Sequence, residues 1–213
     1  VSILIRGARL VTEIDSYSGS VLVDDGRIVR IGRKIEPPPG AEVYEASGKL
    51  LLPGAIDAHV HVGLNLRGHV SSDFESTTRS AAFGGVTSIL TYATPRKGEL
   101  LSEAVGSRME EAEGRCHVDY GLHATIARWE DREDDEIPQL IEAGIPSFKM
   151  YTTYSAAGLK SDDEDLYRAL IIAGRHGGLV EVHCENDWMI ERRIKRLVEE
   201  RRLSPSDHAS SRP

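Results

Sequence analysis

From Pro53 onward the chain alternates short apolar runs with longer amphipathic stretches, and this alternation constrains the fold more than any other feature. Runs at about 54–61, 86–92, 117–126, 145–151 and 179–184 have strand character, and stretches at about 73–83, 99–113, 133–143, 162–176 and 187–202 have helical character. Five strand–helix units in succession predict a parallel sheet with right-handed crossovers. A doubly wound open sheet would need a Gly-rich phosphate loop, which is missing. The expected class is therefore α/β, with the first five units of a (β/α)8 TIM-type barrel, in which catalytic groups sit at the C-terminal ends of the strands. Residues 1 to about 52 read differently, as a small all-β domain. Ile3–Val11, Gly19–Asp24, Arg27–Ile31 and Glu42–Ala46 are strand-like, Asp25-Gly26 is a hairpin turn signal, and Pro37-Pro38-Pro39-Gly40 is a loop. The predicted boundary divides 1–52 from 53–213.

Three of the predicted strands end in residues that can carry chemistry. The first closes on His59-Val60-His61. Residues two apart on a strand face the same side, so His59 and His61 can offer two imidazoles to one metal ion. The fourth is Ser147-Phe148-Lys149-Met150-Tyr151, an apolar run with a lysine at its centre. The chain has six lysines against twenty arginines, so Lys149 is not drawn from a lysine-rich surface. An unpaired ammonium buried there would cost several kcal/mol or shift toward the neutral amine. A neutral amine can take up carbon dioxide as a carbamate, an anionic two-oxygen ligand able to bridge two ions. The alternative is a lysine snorkelling to water from a strand end. The fifth strand, Leu179 to His183, ends on a histidine followed by Cys184-Glu185-Asn186. A lone histidine here would be a satisfied core residue, but it follows three other candidate ligands at strand ends.

Composition excludes several function classes. A net charge of −8 and a pI near 5.5 argue against a nucleic-acid partner. The longest apolar run is too short to span a membrane, and the N-terminus lacks the basic and apolar regions of a signal peptide. Cys116 and Cys184 do not make a disulfide framework, and the expected setting is cytoplasmic. Cys184 reads as a small buried hydrophobe, His117 and His123 as structural residues of the third strand, and the acidic run Glu130–Glu136 as a solvated loop and helix start.

The order His59-x-His61, Lys149 within Ser-Phe-Lys, and His183 within His-x-Glu-Asn resembles the amidohydrolase superfamily. Within it the chain is most similar to the dihydropyrimidinase and hydantoinase family of cyclic amidases. Further stretches carrying the resemblance are Asp73-Phe74-Glu75-Ser76, Ala82-Phe83-Gly84-Gly85-Val86-Thr87, Asp119-Tyr120-Gly121-Leu122-His123 and His208-Ala209-Ser210-Ser211-Arg212-Pro213. The resemblance implies that residues 1–52 are the N-terminal part of a composite β-sandwich. It implies two divalent metal ions, zinc above all, with manganese or cobalt accepted. His59 and His61 would bind one ion, His183 the other, and Lys149, carboxylated by CO2, would bridge them. Tyr154 matches the family tyrosine that hydrogen-bonds the substrate carbonyl; otherwise it is an exposed loop residue. The implied chemistry is hydrolysis of a cyclic amide by a metal-bridging hydroxide, since coordination lowers the pKa of water from about 16 to about 7. The substrate would be a dihydropyrimidine or hydantoin ring, as in pyrimidine catabolism, and the complete form a homo-oligomer, dimer or tetramer.

Two departures qualify the match. The family places a fourth histidine and a proton-carrying aspartate in later strands, and it continues for roughly the same length again. The chain is therefore expected to be the N-terminal part of a larger enzyme and inactive alone. After the metal motif the family has a Pro-Phe pair, where this chain has Gly63-Leu64-Asn65-Leu66-Arg67-Gly68-His69. Arg67 and His69 are unexpected near a substrate mouth. Alternatives left open are an allantoinase- or dihydroorotase-like cyclic amidase, although Gly63 stands where a dihydroorotase has its arginine. A non-catalytic dihydropyrimidinase-related scaffold protein is the other.

Overall fold

A computed structural model describes residues 1–66 and 68–212. Arg67 and Pro213 lie outside the described residues. The chain separates into two compact units, Val1–Ala55 and Ile56–Pro213.

The first unit is a five-stranded mixed sheet. Its strands are β1 (Ser2–Val11), β2 (Ser16–Asp24), β3 (Arg27–Gly32), β4 (Glu42–Glu45) and the two-residue β5 (Leu50–Leu51). The order is β3-β2-β1-β4, and β5 also pairs with β1. The Asp25-Gly26 turn joins β2 to β3 with both residues at positive φ, 44° and 75°, as a type I′ turn requires. Ala8, Leu10, Val21 and Ala46 form its small buried cluster.

The second unit begins with β6 (Ala55–Val60), followed by a small hairpin, β7 (Asn65–Leu66) and β8 (His69–Val70), where sequence alone suggests a plain loop. Then come α1 (Phe74–Phe83), β9 (Val86–Ala93), α2 (Leu101–Ala112), β10 (Asp119–Thr125), α3 (Glu133–Glu142), β11 (Ser147–Tyr151), α4 (Asp163–Arg175), β12 (Leu179–His183), α5 (Asp187–Glu199) and the short α6 (His208–Ser211). The main sheet runs β12-β11-β10-β9-β6, and the pairings from β9 to β12 are parallel. Strand order follows chain order without reversal, so the sheet has no switch point of the doubly wound kind. It is a parallel half-barrel in topology.

Local chemistry places the helices. Asp73, Asp162 and Asn186 cap α1, α4 and α5 by accepting the backbone N–H of Ser76, Asp165 and Met189. α2 starts at Leu100 without a side-chain cap of its own. Glu136 of α3 serves instead, its carboxylate accepting from the N–H groups of Leu101 and Ser102, each at 3.2 Å. Gly178 lets the chain entering β12 pass close to α3 and to the segment before β11, since a Cβ there would stand 2.7 Å from Ile141 and 3.0 Å from the Pro146 carbonyl. The helices bury the even-numbered face of β10 and β11. Leu122, Ala124, Phe148 and Met150 pack there with Ile137, Leu140, Ala169 and Ala173.

Candidate metal centre

Strand alternation sends the odd-numbered residues of β10, β11 and β12 to the opposite face. Lys149 pairs in register with Thr125 on one side and Glu181 on the other, and Tyr151 pairs with His183. At the end of β6, Val60 and, just beyond it, Val62 pack into the apolar cluster around Phe74 and Ile89. His59 and His61 project from the other face, their ring centroids 5.2 Å apart and edge-to-face.

Tyr92 of β9 is the hub of this polar face. Its ring is 5.1 Å from His59, 4.9 Å from His61 and 5.1 Å from His123. The Lys149 ammonium lies 5.8 Å from the Tyr92 ring and 5.6 Å from the Tyr151 ring. Tyr151 in turn stacks on His183 at 6.1 Å. Lys149 thus stands between the two histidines at and just after the end of β6 and the one of β12, with an aromatic ring on each side.

Lys149 is 6% exposed and does not snorkel. Its nearest carboxylate oxygen, Glu181 Oε2, is 4.0 Å away, too far for a hydrogen bond. Glu181 is otherwise engaged: Oε2 is 3.4 Å from the Tyr92 hydroxyl and Oε1 is 3.0 Å from His123 Nδ1. His123 is buried, with Nε2 3.0 Å from the Ala58 carbonyl and Nδ1 2.6 Å from Ser147 Oγ. A carbonyl only accepts, so Nε2 donates to Ala58, the residue preceding His59. His123 thereby ties β6 to β11 and β12 beneath the candidate ligands.

Burial lowers the His61 pKa, helped by the nearby His59 and Lys149 charges, which favours the neutral imidazole that binds metal. Burial also raises the Tyr92 and Tyr151 hydroxyls, which the Glu181 carboxylate reinforces, so both stay protonated. Among the described residues, no three His, Cys, Asp or Glu side chains converge on one metal position. The donors present fit a metal pair only if Lys149 contributes a ligand of its own.

Tyr154 follows β11 with φ +67°, a left-handed conformation that costs a tyrosine about 1–3 kcal/mol. Its flanks hold it: Asp187 Oδ1 accepts from Thr153 Oγ1 at 3.1 Å and from the Ser155 N–H at 3.3 Å. The Tyr154 hydroxyl reaches to 3.5 Å from His183 Nε2, which also donates to Glu185 Oε2 at 2.6 Å.

Several expectations need correction. Cys184 is exposed rather than buried, because β12 ends at His183 and the chain turns away toward α5. His117 is not on the third strand; it precedes β10 and is exposed, with its N–H donating to Thr78. Glu133 and Glu136 of the acidic run are buried, as caps for backbone N–H groups, rather than solvated. Arg67 lies outside the described residues. Sequence reasoning missed Tyr92 and Glu181. Glu181 carried a signal of the same kind as Lys149: a charge inside an apolar strand, two residues from a candidate ligand.

The chain is 40% identical over 212 residues to a D-hydantoinase of Geobacillus stearothermophilus, an alignment covering 99% of this chain and 45% of the relative. It is 34% identical over 217 residues to a dihydropyrimidinase of Rattus norvegicus, covering 99% of this chain and 42% of the relative. A solved dihydropyrimidinase from Brevibacillus agri NCHU1002 superposes with a TM-score of 0.94 at 37% identity, over 100% of this chain and 46% of that one. No protein-family model matches the chain. The chain spans about half the length of the curated relatives it matches.

Proposed function

From a chain homologous along its whole length to the N-terminal portion of the hydantoinases and dihydropyrimidinases, we propose a role as the metal-holding half of a cyclic amidase. In this reading the parallel sheet is the first part of a (β/α)8 barrel and the mixed sheet one layer of a composite β-sandwich. His59 and His61 would hold one divalent ion, zinc above all, and His183 a second. Lys149, as a carbamate, would supply an anionic oxygen ligand to them. The ammonium first gives up a proton; the neutral amine nitrogen then bonds to the carbon of CO2 and releases a second, so that two protons leave as a buried cation becomes a two-oxygen anion. The supporting observation is Lys149 itself, 6% exposed on the histidine-bearing face and without a carboxylate at hydrogen-bond distance.

When bound, the ions supply Lewis-acid polarisation and a water-derived nucleophile at neutral pH. The chain's own residues supply the rest. Tyr154 donates its hydroxyl proton in a hydrogen bond to the carbonyl oxygen of the ring as negative charge develops there. Asp187 keeps Tyr154 in its left-handed pose through Thr153 and Ser155. Tyr92 and His123 hold the imidazoles of β6 in line with β11 and β12. His61, Tyr92 and Tyr151 line a cavity of about 660 Å3, within the range of small-ligand sites.

The test is ring opening of dihydrouracil and hydantoin by the complete zinc-loaded protein, read as the N-carbamoyl product. Turnover that disappears in His59→Ala is expected; a fully metallated protein that opens neither ring would overturn the reading.

A further inference from the structure

The cavity beside His61 and Tyr92 does not end at the candidate metal centre. Arg96, Glu99 and Leu159 line it and also line a second cavity of about 250 Å3, so the two share a wall. The second cavity lies between the loop after β9 and the loop after β10, and it gathers Arg96, Lys97, Arg128 and Arg132.

Its charges are not balanced. Arg132 is spent on its surroundings, donating to the Glu99 carbonyl at 2.8 Å and standing 3.2 Å from the Glu130 carboxylate. Glu133 accepts the Glu130 N–H at 2.7 Å, and Glu99 accepts the Arg96 N–H at 2.6 Å. The acids of the pocket therefore hold backbone and Arg132. Arg96, Lys97 and Arg128 are exposed, and no carboxylate among the described residues forms an ion pair with any of the three. Three uncommitted cations on two loops stand out in a chain whose net charge is −8.

We propose that this side pocket is a subsite for an anionic substituent on the substrate, so that the preferred substrates are cyclic amides bearing a carboxylate side chain. The ring belongs in the cavity beside His61 and Tyr92, which rests on the cyclic-amidase reading. The acidic substituent follows from the side pocket alone. Arg96, on the shared wall, meets the carboxylate first, and its planar fork suits two parallel hydrogen bonds. Arg128 and Lys97 add attraction that screens with salt.

The experiment compares 5-(2-carboxyethyl)hydantoin with its neutral carboxamide. Calorimetry on the metal-free complete protein reads binding, and the zinc-loaded protein reads turnover. Wild type should bind the acid about tenfold tighter than the amide and favour it by a similar factor in kcat/KM. Both preferences should fall to near unity in Arg96→Gln/Arg128→Gln, whose altered side chains are exposed, and the binding preference should weaken at high salt. Equal binding of the two ligands by wild type, or a preference that survives in the double variant, would overturn the subsite. If neither ring opens while the binding preference follows the two arginines, the subsite stands and the cyclic-amidase reading falls. If both rings open without discrimination, the reverse holds.

Discussion

The two units of this chain bury different things. In the mixed sheet of Val1–Ala55 the buried positions are apolar apart from Ser20, and no ionisable side chain is buried among them. In Ile56–Pro213 the buried set includes His123, Glu133, Glu136, Lys149 and Asp187. The contrast separates a surface built for packing from one built for chemistry, and it also divides the buried charges themselves. Glu133, Glu136 and Asp187 each accept backbone N–H groups, as a folded loop or helix start requires. Among the described residues Lys149 has only the Glu181 carboxylate, 4.0 Å away, and a buried cation so loosely partnered is a candidate functional group.

The largest expected effect tests that division at Lys149. Lys149→Ala should lose most bound metal and most activity. The loss should exceed the about 10–100-fold that removal of an outer partner of a metal site costs. A short carboxylic acid filling the gap should restore part of both. Full metal content and full activity in this variant would place Lys149 with the structural charges.

Tyr154→Phe comes next. Loss of one donor to a developing oxyanion reduces kcat by about 10²–10³-fold, and metal content should not change. A variant with wild-type kcat would remove Tyr154 from the mechanism.

Among the structural charges, Glu136→Ala should destabilise the protein by about 1–3 kcal/mol, because it leaves the first N–H groups of α2 without acceptors. Glu136→Gln, which keeps one acceptor oxygen, should cost less. Neither should alter metal stoichiometry in the folded protein, as inductively coupled plasma analysis would read. A drop in stoichiometry would blur the line between the two classes of buried charge.

The smallest effect is a pH dependence at Asp187. Hydrogen bonds from the Ser155 region, opposed by partial desolvation, hold its carboxyl below the ordinary 3.8. A depressed carboxyl stabilises the fold above the unfolded value and loses that contribution as pH falls through the folded one. The gap in Tm between wild type and Asp187→Asn should therefore be constant above about pH 5 and close as pH falls below 3.8. A gap that widens on acidification would contradict the assignment.

Much of this arrangement was legible in the sequence because strand alternation is a local rule. His59 and His61 share a face by their spacing, and Phe148 and Met150 flank Lys149 on the other face in any strand that contains them. Strand limits and helix caps at Asp73, Asp162 and Asn186 follow from equally local signals. What escaped depends on register between distant segments. That Glu181 lies beside Lys149, that His123 reaches the Ala58 carbonyl 65 residues away, and that Glu136 caps α2 from α3 are set by packing. No spacing within one segment encodes them. The acidic run around Glu133 misled for that reason: its composition matches a solvated loop, and only the neighbouring helix start reveals its role. Cys184 misled in the opposite sense, since alternation was extended one residue past the end of β12.

The central claim is that Lys149 is an anionic metal bridge rather than a buried ammonium. Carbon-13 NMR of the complete zinc-loaded protein, equilibrated with labelled bicarbonate, tests it directly. A carbamate resonance that is present in wild type, absent in Lys149→Ala and lost together with zinc under acid and chelator is the predicted result. A fully metallated, active protein with no carbamate signal would contradict it.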